Sequence, residues 1–300
     1  MNSAIYDAAN LGWKLGLCAR NVASPAALLP TYDLERRTFA NRVIRVSGAF
    51  LRFISGSNLP LAEVRNPGDV LATDMDNMPP SDGTKESDLV WCDAHFAQQS
   101  MFILGLEVPN IASEICHPWK EHGKKRPITI ESGRRAPNPR ICVDEGTTGY
   151  LYDTMVDIKR FNILIFASDL RGPVRERIAR FSQQALGPQG FFTKHGGAKI
   201  FNIVLILKGL PFKKDQLLHG DELRNLRDSA TVVYDDRAPD EDAGYWYGIN
   251  HARGAVVAVR PDLIVGTSCW PEEDSILGSY FESFLLQNSG LTNGGLTNGH

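Results

Sequence analysis

Apolar positions in the first 55 residues recur at helical spacing. Ile5, Ala8, Ala9, Leu11, Trp13 and Leu15 predict a helix from Ser3 to about Leu17, rich enough in apolar residues to be largely buried. Pro30 stands where a first-turn proline favours a helix start, with Asp33 and Glu35 in an opening turn where the helix dipole favours acids. Phe39, Val43, Val46, Phe50 and Phe53 then follow at steps of four, three, four and three, an apolar stripe along one face. Such a stripe must bury against the first helix, a later domain or a second subunit.

The pattern breaks at 72–87, where Asp74, Asp76, Asn77, Pro79, Pro80, Asp82 and Gly83 leave few apolar anchors and predict a connector or exposed loop. Up to Arg126 the chain mixes Trp91, Phe96, Phe102, Leu104 and Trp119 with proline and histidine and reads as irregular. From Phe161 the texture changes. Residues 161–166 are an apolar β-rich run, Ser168-Asp169 a turn, and 174–186 an amphipathic helix. Residues 200–207 and 230–234 predict two more strands, 255–259 and 263–265 a hairpin through Pro261-Asp262, and 275–286 a closing helix. That order predicts an α/β layer. The tail repeats Gly-Leu-Thr-Asn-Gly at 290–294 and 295–299 and reads as disordered from 288 onward.

Composition narrows the picture only slightly. Three hundred residues, 43% hydrophobic and 22% charged, suffice for about two packed domains. A formal net charge of −3 gives no electrostatic reason to expect nucleic acid or an acidic membrane surface as partner. Lys124-Lys125-Arg126 and Arg134-Arg135 are short enough to read as solvated loop charge. Without a basic-then-apolar start or an apolar run near 18 residues, a cytoplasmic location is expected. The five cysteines, Cys18, Cys92, Cys116, Cys142 and Cys269, form no C-x-x-C pair and read as reduced and buried.

Candidate chemistry is sparse. No G-x-G-x-x-G occurs, and Gly68-Asp69 reads as a simple turn. Cys92, Asp93, His95, Cys116, His117 and His122 lack the spacing of a metal site. His95, His117, His251 and Glu114 are candidate proton-transfer groups, because histidine titrates near neutrality and a carboxylate can serve as base. Tyr245-Trp246-Tyr247, Trp91, Trp119 and Trp270 suit either a cavity wall or a packed core.

Four stretches carry a family resemblance. Asp7-Ala8-Ala9-Asn10-Leu11-Gly12-Trp13-Lys14-Leu15 resembles the D-x-x-N-L-x-W-K-L helix of FAD-dependent aromatic hydroxylases, and Leu29 to Arg36 resembles their L-x-x-Y-x-x-E-R helix start. Gly133-Arg134-Arg135-Ala136-Pro137 and the run from Gly254 to Asp262 resemble the opening and late strand of the thioredoxin-like C-terminal domain of phenol 2-monooxygenases. The likeness covers roughly 1–60 and 128–287. It implies a helical remnant of a flavin monooxygenase at 1–71, a connector at 72–127, a thioredoxin-like domain at 128–287 and a tail at 288–300. In that family the first helix follows a Gly-rich turn touching the flavin. Met1 stands where that turn ends, so the packing partners of the first helix are expected in an upstream part without counterpart here. The turn Ala167-Ser168-Asp169-Leu170-Arg171 lacks the cysteines of thioredoxins, which implies a structural, dimer-forming role, with Asp169 as a helix cap.

The resemblance therefore implies a scaffold that has lost most of its flavin apparatus. The leading expectation is a cofactor-independent enzyme, binding no FAD, that cyclises an apolar small molecule in specialised metabolism. A Diels–Alder step fits, since proximity alone lowers such a barrier. Tyr247, His251 and Arg260 are the expected donors polarising a carbonyl, and Phe39, Phe50, Phe53 and Trp246 the expected substrate walls. The alternatives are a fragment of an FAD-dependent monooxygenase, or an accessory subunit acting as a homodimer or paired with a full-length hydroxylase.

Overall fold

The computed structural model describes residues 2–55, 85–103, 112–118, 125–144, 147–211 and 214–287. Helix α1 (Asn2–Ala19) leads through a turn and a single helical turn at Pro25–Leu28 into α2 (Pro30–Ser55), and α3 (Lys85–Ile103) follows. Pro30 opens α2 with Asp33 in its first turn, as its fixed φ and the helix dipole favour. Helix α2 packs against α3, and of the stripe on α2 the side chains of Val46, Phe50 and Phe53 lie outside the described residues. Helix α3 lies inside the 72–127 stretch expected to be connector and irregular chain. Gly68-Asp69, Trp119, His122 and the repeated tail lie outside the described residues.

A seven-stranded mixed sheet follows, in the order β2-β1-β5-β4-β3-β6-β7. Its elements in chain order are β1 (Arg140–Asp144), β2 (Thr147–Tyr150), β3 (Phe161–Ser168), α4 (Val174–Gln184), β4 (Phe201–Lys208), β5 (Ala230–Asp235), α5 (Ala243–Tyr247), β6 (Ala255–Val259), β7 (Val265–Cys269) and α6 (Asp274–Glu282). β3, β4 and β5 run parallel, while β6 is antiparallel to β3 and β7 to β6. The β3–α4–β4 crossover, the β6–β7 hairpin and the final helix make this a thioredoxin-like α/β layer. The antiparallel pair β1–β2 extends it beyond β5.

The strands read as continuous apolar runs because both faces of the sheet are covered. Side chains alternate between the two faces. Ile163, Ile165, Ala167, Ile203, Leu205 and Leu207 point into one core with Trp13 and Leu17 of α1, Ile178 and Phe181 of α4, and Leu277 and Phe281 of α6. Leu164, Phe166, Val204 and Ile206 point into the other with Ile128, Ile141, Leu151 and Tyr247. The second strand of the hairpin is β7 rather than 263–265. Residues 260–264 instead make the turn, with the Leu263 N–H donating to the Arg260 carbonyl at 2.9 Å and Leu263 at φ 63°.

The helical part belongs to the same packed body as the sheet. The Trp13 ring meets Phe161 edge-on at 5.6 Å, and Ser24 N–H donates to the Phe284 carbonyl at 2.9 Å beside an Ala23–Leu285 bridge. The partners of this face of α1 are therefore in the thioredoxin-like layer, which corrects the expectation that they lie upstream. The opposite face, with Ile5, Ala8, Ala9, Gly12 and Leu15, is exposed. No helix among the described residues is long and apolar enough to cross a membrane.

Candidate functional site

The residues that carry the family resemblance converge on one buried charge cluster. Arg260 follows β6 and is fully buried. Its Nη1 and Nη2 donate to Glu35 Oε1 and Oε2 at 2.5 and 3.1 Å, and its Nε and Nη2 to Asp262 Oδ1 and Oδ2 at 3.0 and 2.6 Å. Lys14 Nζ donates to Glu35 Oε2 at 3.1 Å and to Asn10 Oδ1 at 2.8 Å, and Trp13 Nε1 to Asp262 Oδ2 at 3.1 Å. Asn10 Nδ2 completes the shell on Glu35 at 2.7 Å. Arg36 pairs with Asp7 at its edge.

Electrostatics follow from this geometry. Burial pushes the Glu35 carboxyl up, but the Arg260 and Lys14 charges and the hydrogen bonds from Arg260 and Asn10 outweigh it and hold the group at about 2. Lys14 goes the other way. Its own burial and the repulsion of Arg260 outweigh the attraction of Glu35 and Asp262, bringing the ammonium down to about 8. One anion is thus shared unequally between two cations, and Arg260, bonded through both carboxylate oxygens, is the dominant partner.

A second feature lies at the carboxyl ends of the parallel strands, where open α/β sheets commonly bind ligands. A cleft of about 440 Å³ is lined by Ser168, Asp169 and Leu170 after β3, Lys208 and Leu210 at the end of β4, and Tyr234 of β5. Ser168 Oγ is 3.0 Å from His251 Nδ1, and His251 Nε2 is 3.8 Å from Asp242 Oδ2. Asp242 caps α5, accepting the Tyr245 N–H at 2.6 Å, and its other oxygen receives Lys208 Nζ at 2.5 Å. Asp169 instead pairs with Arg171 within the turn.

The expected donors sit very differently from one another. Tyr247 is fully buried, its hydroxyl donating to the Pro137 carbonyl at 2.9 Å and its ring 4.8 Å from Phe166. Tyr247 and Arg260 are both sealed inside packed structure, which leaves neither a face for a substrate carbonyl. His251 is half-exposed beside the cleft. Trp246 is 53% exposed on α5, on the sheet face opposite Trp13, whereas Phe39 packs on Tyr6 and under the Arg36 guanidinium at 4.0 Å. The side chains of Phe50, Phe53 and His95 lie outside the described residues. His117 packs edge-on against Tyr280 at 5.0 Å, and Trp270 is buried with the Arg253 guanidinium over it at 3.7 Å. All five cysteines are free thiols, with burial raising Cys116 to about 12.

Polar side chains of α1 and α2 are engaged within the fold. Asn10, Lys14 and Glu35 turn inward to Arg260, and no glycine-rich strand-to-helix turn occurs among the described residues. No group of three or more metal-ligating side chains occurs among the described residues.

Two family models match the chain. Residues 129–289 match the phenol hydroxylase C-terminal dimerisation domain, and residues 1–47 match an FAD binding domain. An FAD-dependent monooxygenase of Aspergillus terreus (strain NIH 2624 / FGSC A1156) is 52% identical over 287 residues, covering 96% of this chain and 40% of that protein. The phenol 2-monooxygenase fsqG of Aspergillus fumigatus (strain ATCC MYA-4609 / CBS 101355 / FGSC A1100 / Af293) is 24% identical, covering 94% of this chain and 44% of its own length. The chain thus spans less than half the length of these relatives. The solved flavin-dependent monooxygenase PieE, in complex with FAD and substrate, shares the fold with a TM-score of 0.50 at 18% identity, over 94% of this chain and 44% of that one. With more than half of its residues in that dimerisation domain and a segment of the FAD-binding domain ahead of it, the chain belongs to the phenol hydroxylase family of FAD-dependent monooxygenases.

Proposed function

We propose that this chain serves flavin-dependent hydroxylation of an aromatic small molecule as the dimer-forming C-terminal unit of the monooxygenase scaffold. It presents the last helices of the FAD-binding domain on a rigid thioredoxin-like base. The observation that carries this reading is the Arg260 cluster. Asn10, Trp13, Lys14 and Glu35, all within the segment matched to the FAD-binding domain, are spent on fastening α1 and α2 to the β6–β7 hairpin. A buried, fully paired ion cluster fixes the relative orientation of the elements it joins. The exposed face of α1, with Ile5 and Leu15, is thereby held at a set angle for a companion surface.

The test is an absorbance spectrum and FAD titration of the purified 300-residue protein, with light scattering on the same sample. A dimer that neither carries flavin nor quenches added FAD fluorescence at micromolar concentration is expected. Bound flavin would sink the reading, because it would place a complete flavin site in this chain, and a monomer would sink its dimer-forming half. A second reading, cofactor-independent cyclisation of an apolar molecule, is favoured by the exposed apolar residues of the helical part, Ile44, Leu51, Ile54 and Phe96 among them. It would act through shape and proximity, and turnover of a polyene substrate by the flavin-free protein is its test.

A further inference from the structure

Ser168 occupies a backbone position that few serines hold. It ends β3 at φ 47°, in the left-handed region, and among the described residues only Asn21 and Leu263 share that sign without being glycine. Strain of this kind clusters where a side chain must be aimed. Here it aims the hydroxyl at the imidazole of His251, at the lip of the 440 Å³ cleft. A serine on a tight strand-to-helix turn is also how the α/β hydrolases expose their nucleophile, although Phe166 and Leu170 stand here where those enzymes use glycines.

The base beside it is seated by the chain. A Cβ on Gly244 would lie 2.5 Å from His251 Cε1 and 2.7 Å from Nε2, so glycine there is what lets the ring lie against α5. The ring points its Nε2 towards Asp242, which is only 1% exposed and held by the Tyr245 N–H and Lys208 Nζ. Nearby, Asp235 is equally buried, with Oδ1 lacking a hydrogen-bond partner and 3.9 Å from the same lysine. Ser168, His251 and Asp242 come from three separate parts of the chain, and thioredoxin-like packing alone does not call for their alignment.

We propose that Ser168, His251 and Asp242 form a nucleophile, base and orienting acid that transfer the acyl group of small carboxylic esters, an activity separate from the hydroxylase role proposed above. Ser168 Oγ attacks the ester carbonyl carbon while its proton passes to His251 Nδ1. Asp242 faces the Nε2–H and balances the imidazolium, a contact of 3.8 Å that tightens as charge develops on the ring. Collapse of the tetrahedral adduct breaks the acyl C–O bond, and the departing alcohol takes the proton from Nδ1. Water then attacks the acyl-serine, gives its proton to Nδ1, and the carboxylic acid leaves as Ser168 Oγ recovers that proton. Ester and water become acid and alcohol, with no redox change.

The test treats the full chain with a fluorophosphonate probe, maps the adduct by mass spectrometry, and follows p-nitrophenyl acetate hydrolysis. The expected result is a single adduct on Ser168, absent in Ser168→Gly, a variant suited to the backbone because glycine adopts φ 47° freely. His251→Gln should slow labelling and hydrolysis by about 100-fold or more, the size of a lost general base. Unchanged melting of both variants would separate lost chemistry from lost fold. Wild-type protein that takes no label on Ser168, or His251→Gln that reacts as fast as wild type, would overturn the assignment.

Discussion

Glu35→Ala is expected to destabilise the folded chain by about 3–5 kcal/mol, the usual effect of removing one partner from a buried ion pair. The carboxylate is 3% exposed and is the anion that Arg260 and Lys14 share. Without it, Arg260 keeps Asp262, but Lys14 is left with Asn10 alone, and two cations face each other in a dry site. Urea denaturation with an unchanged slope measures the loss, and a value below about 1 kcal/mol would mean that water enters and replaces the anion. Lys14→Met should cost far less, under about 1 kcal/mol, because burial already disfavours the charge it removes.

The same cluster sets an acid limit. The folded Glu35 sits at about 2 against an ordinary 4.5, so its contribution is fully present above pH 4.5 and is lost as pH falls from there towards 2. A gap of that size corresponds to about 3 kcal/mol. Lys14 acts in a different window. Its folded value of about 8 lies below the ordinary 10.5, so its burial weighs against the fold at neutral pH and is relieved as pH rises from 8 to 10.5. The stability of wild type should therefore rise relative to Lys14→Met across that alkaline range, so the gap between the two curves widens.

Phe161→Ala is the second large effect, expected at about 3–5 kcal/mol for a fully buried aromatic ring. Phe161 begins β3 and touches Trp13 at 5.6 Å, Phe281 at 5.3 Å, Phe284 at 5.7 Å and Phe201 at 6.3 Å. Its removal opens a cavity where α1, α6 and the sheet meet, and neighbours fixed by ring-to-ring contacts cannot collapse into it. Because Trp13 forms one wall, Trp13→Ala combined with Phe161→Ala should cost less than the sum of the two single changes. Strict additivity in a double-mutant cycle would show that the two rings do not share the cavity.

The strands were legible in the sequence because a sheet covered on both faces leaves unbroken runs such as 161–166 and 255–259. Helix α3 was not. Leu89, Val90 and Phe96 are exposed while Trp91 between them is buried, so its apolar residues spread round the helix and show no stripe. The short pair β1–β2 was missed as well, since Arg140 and the exposed residues of β2 carry little apolar signal. In the motifs, Trp13, Lys14, Glu35 and Arg260 stood out, but not their meeting. Glu35 and Arg260 are separated by 225 positions, and nothing in either segment names the other. Ser168 and His251 lie 83 positions apart, and the left-handed φ that joins them has no glycine or asparagine to announce it.

The bond from Arg260 to Glu35 also sets a clock on synthesis. Ribosomes add roughly 5–20 residues per second, so α1 and α2 emerge about 10–45 seconds before the guanidinium that will hold them. Throughout that interval the Trp13 and Leu17 face has no sheet to cover it, and the bridge from Ala23 to Leu285 waits longer still. Helices α1 and α2, which leave the ribosome before the sheet, are among the last to settle, and over that interval chaperones and proteases can reach them most easily.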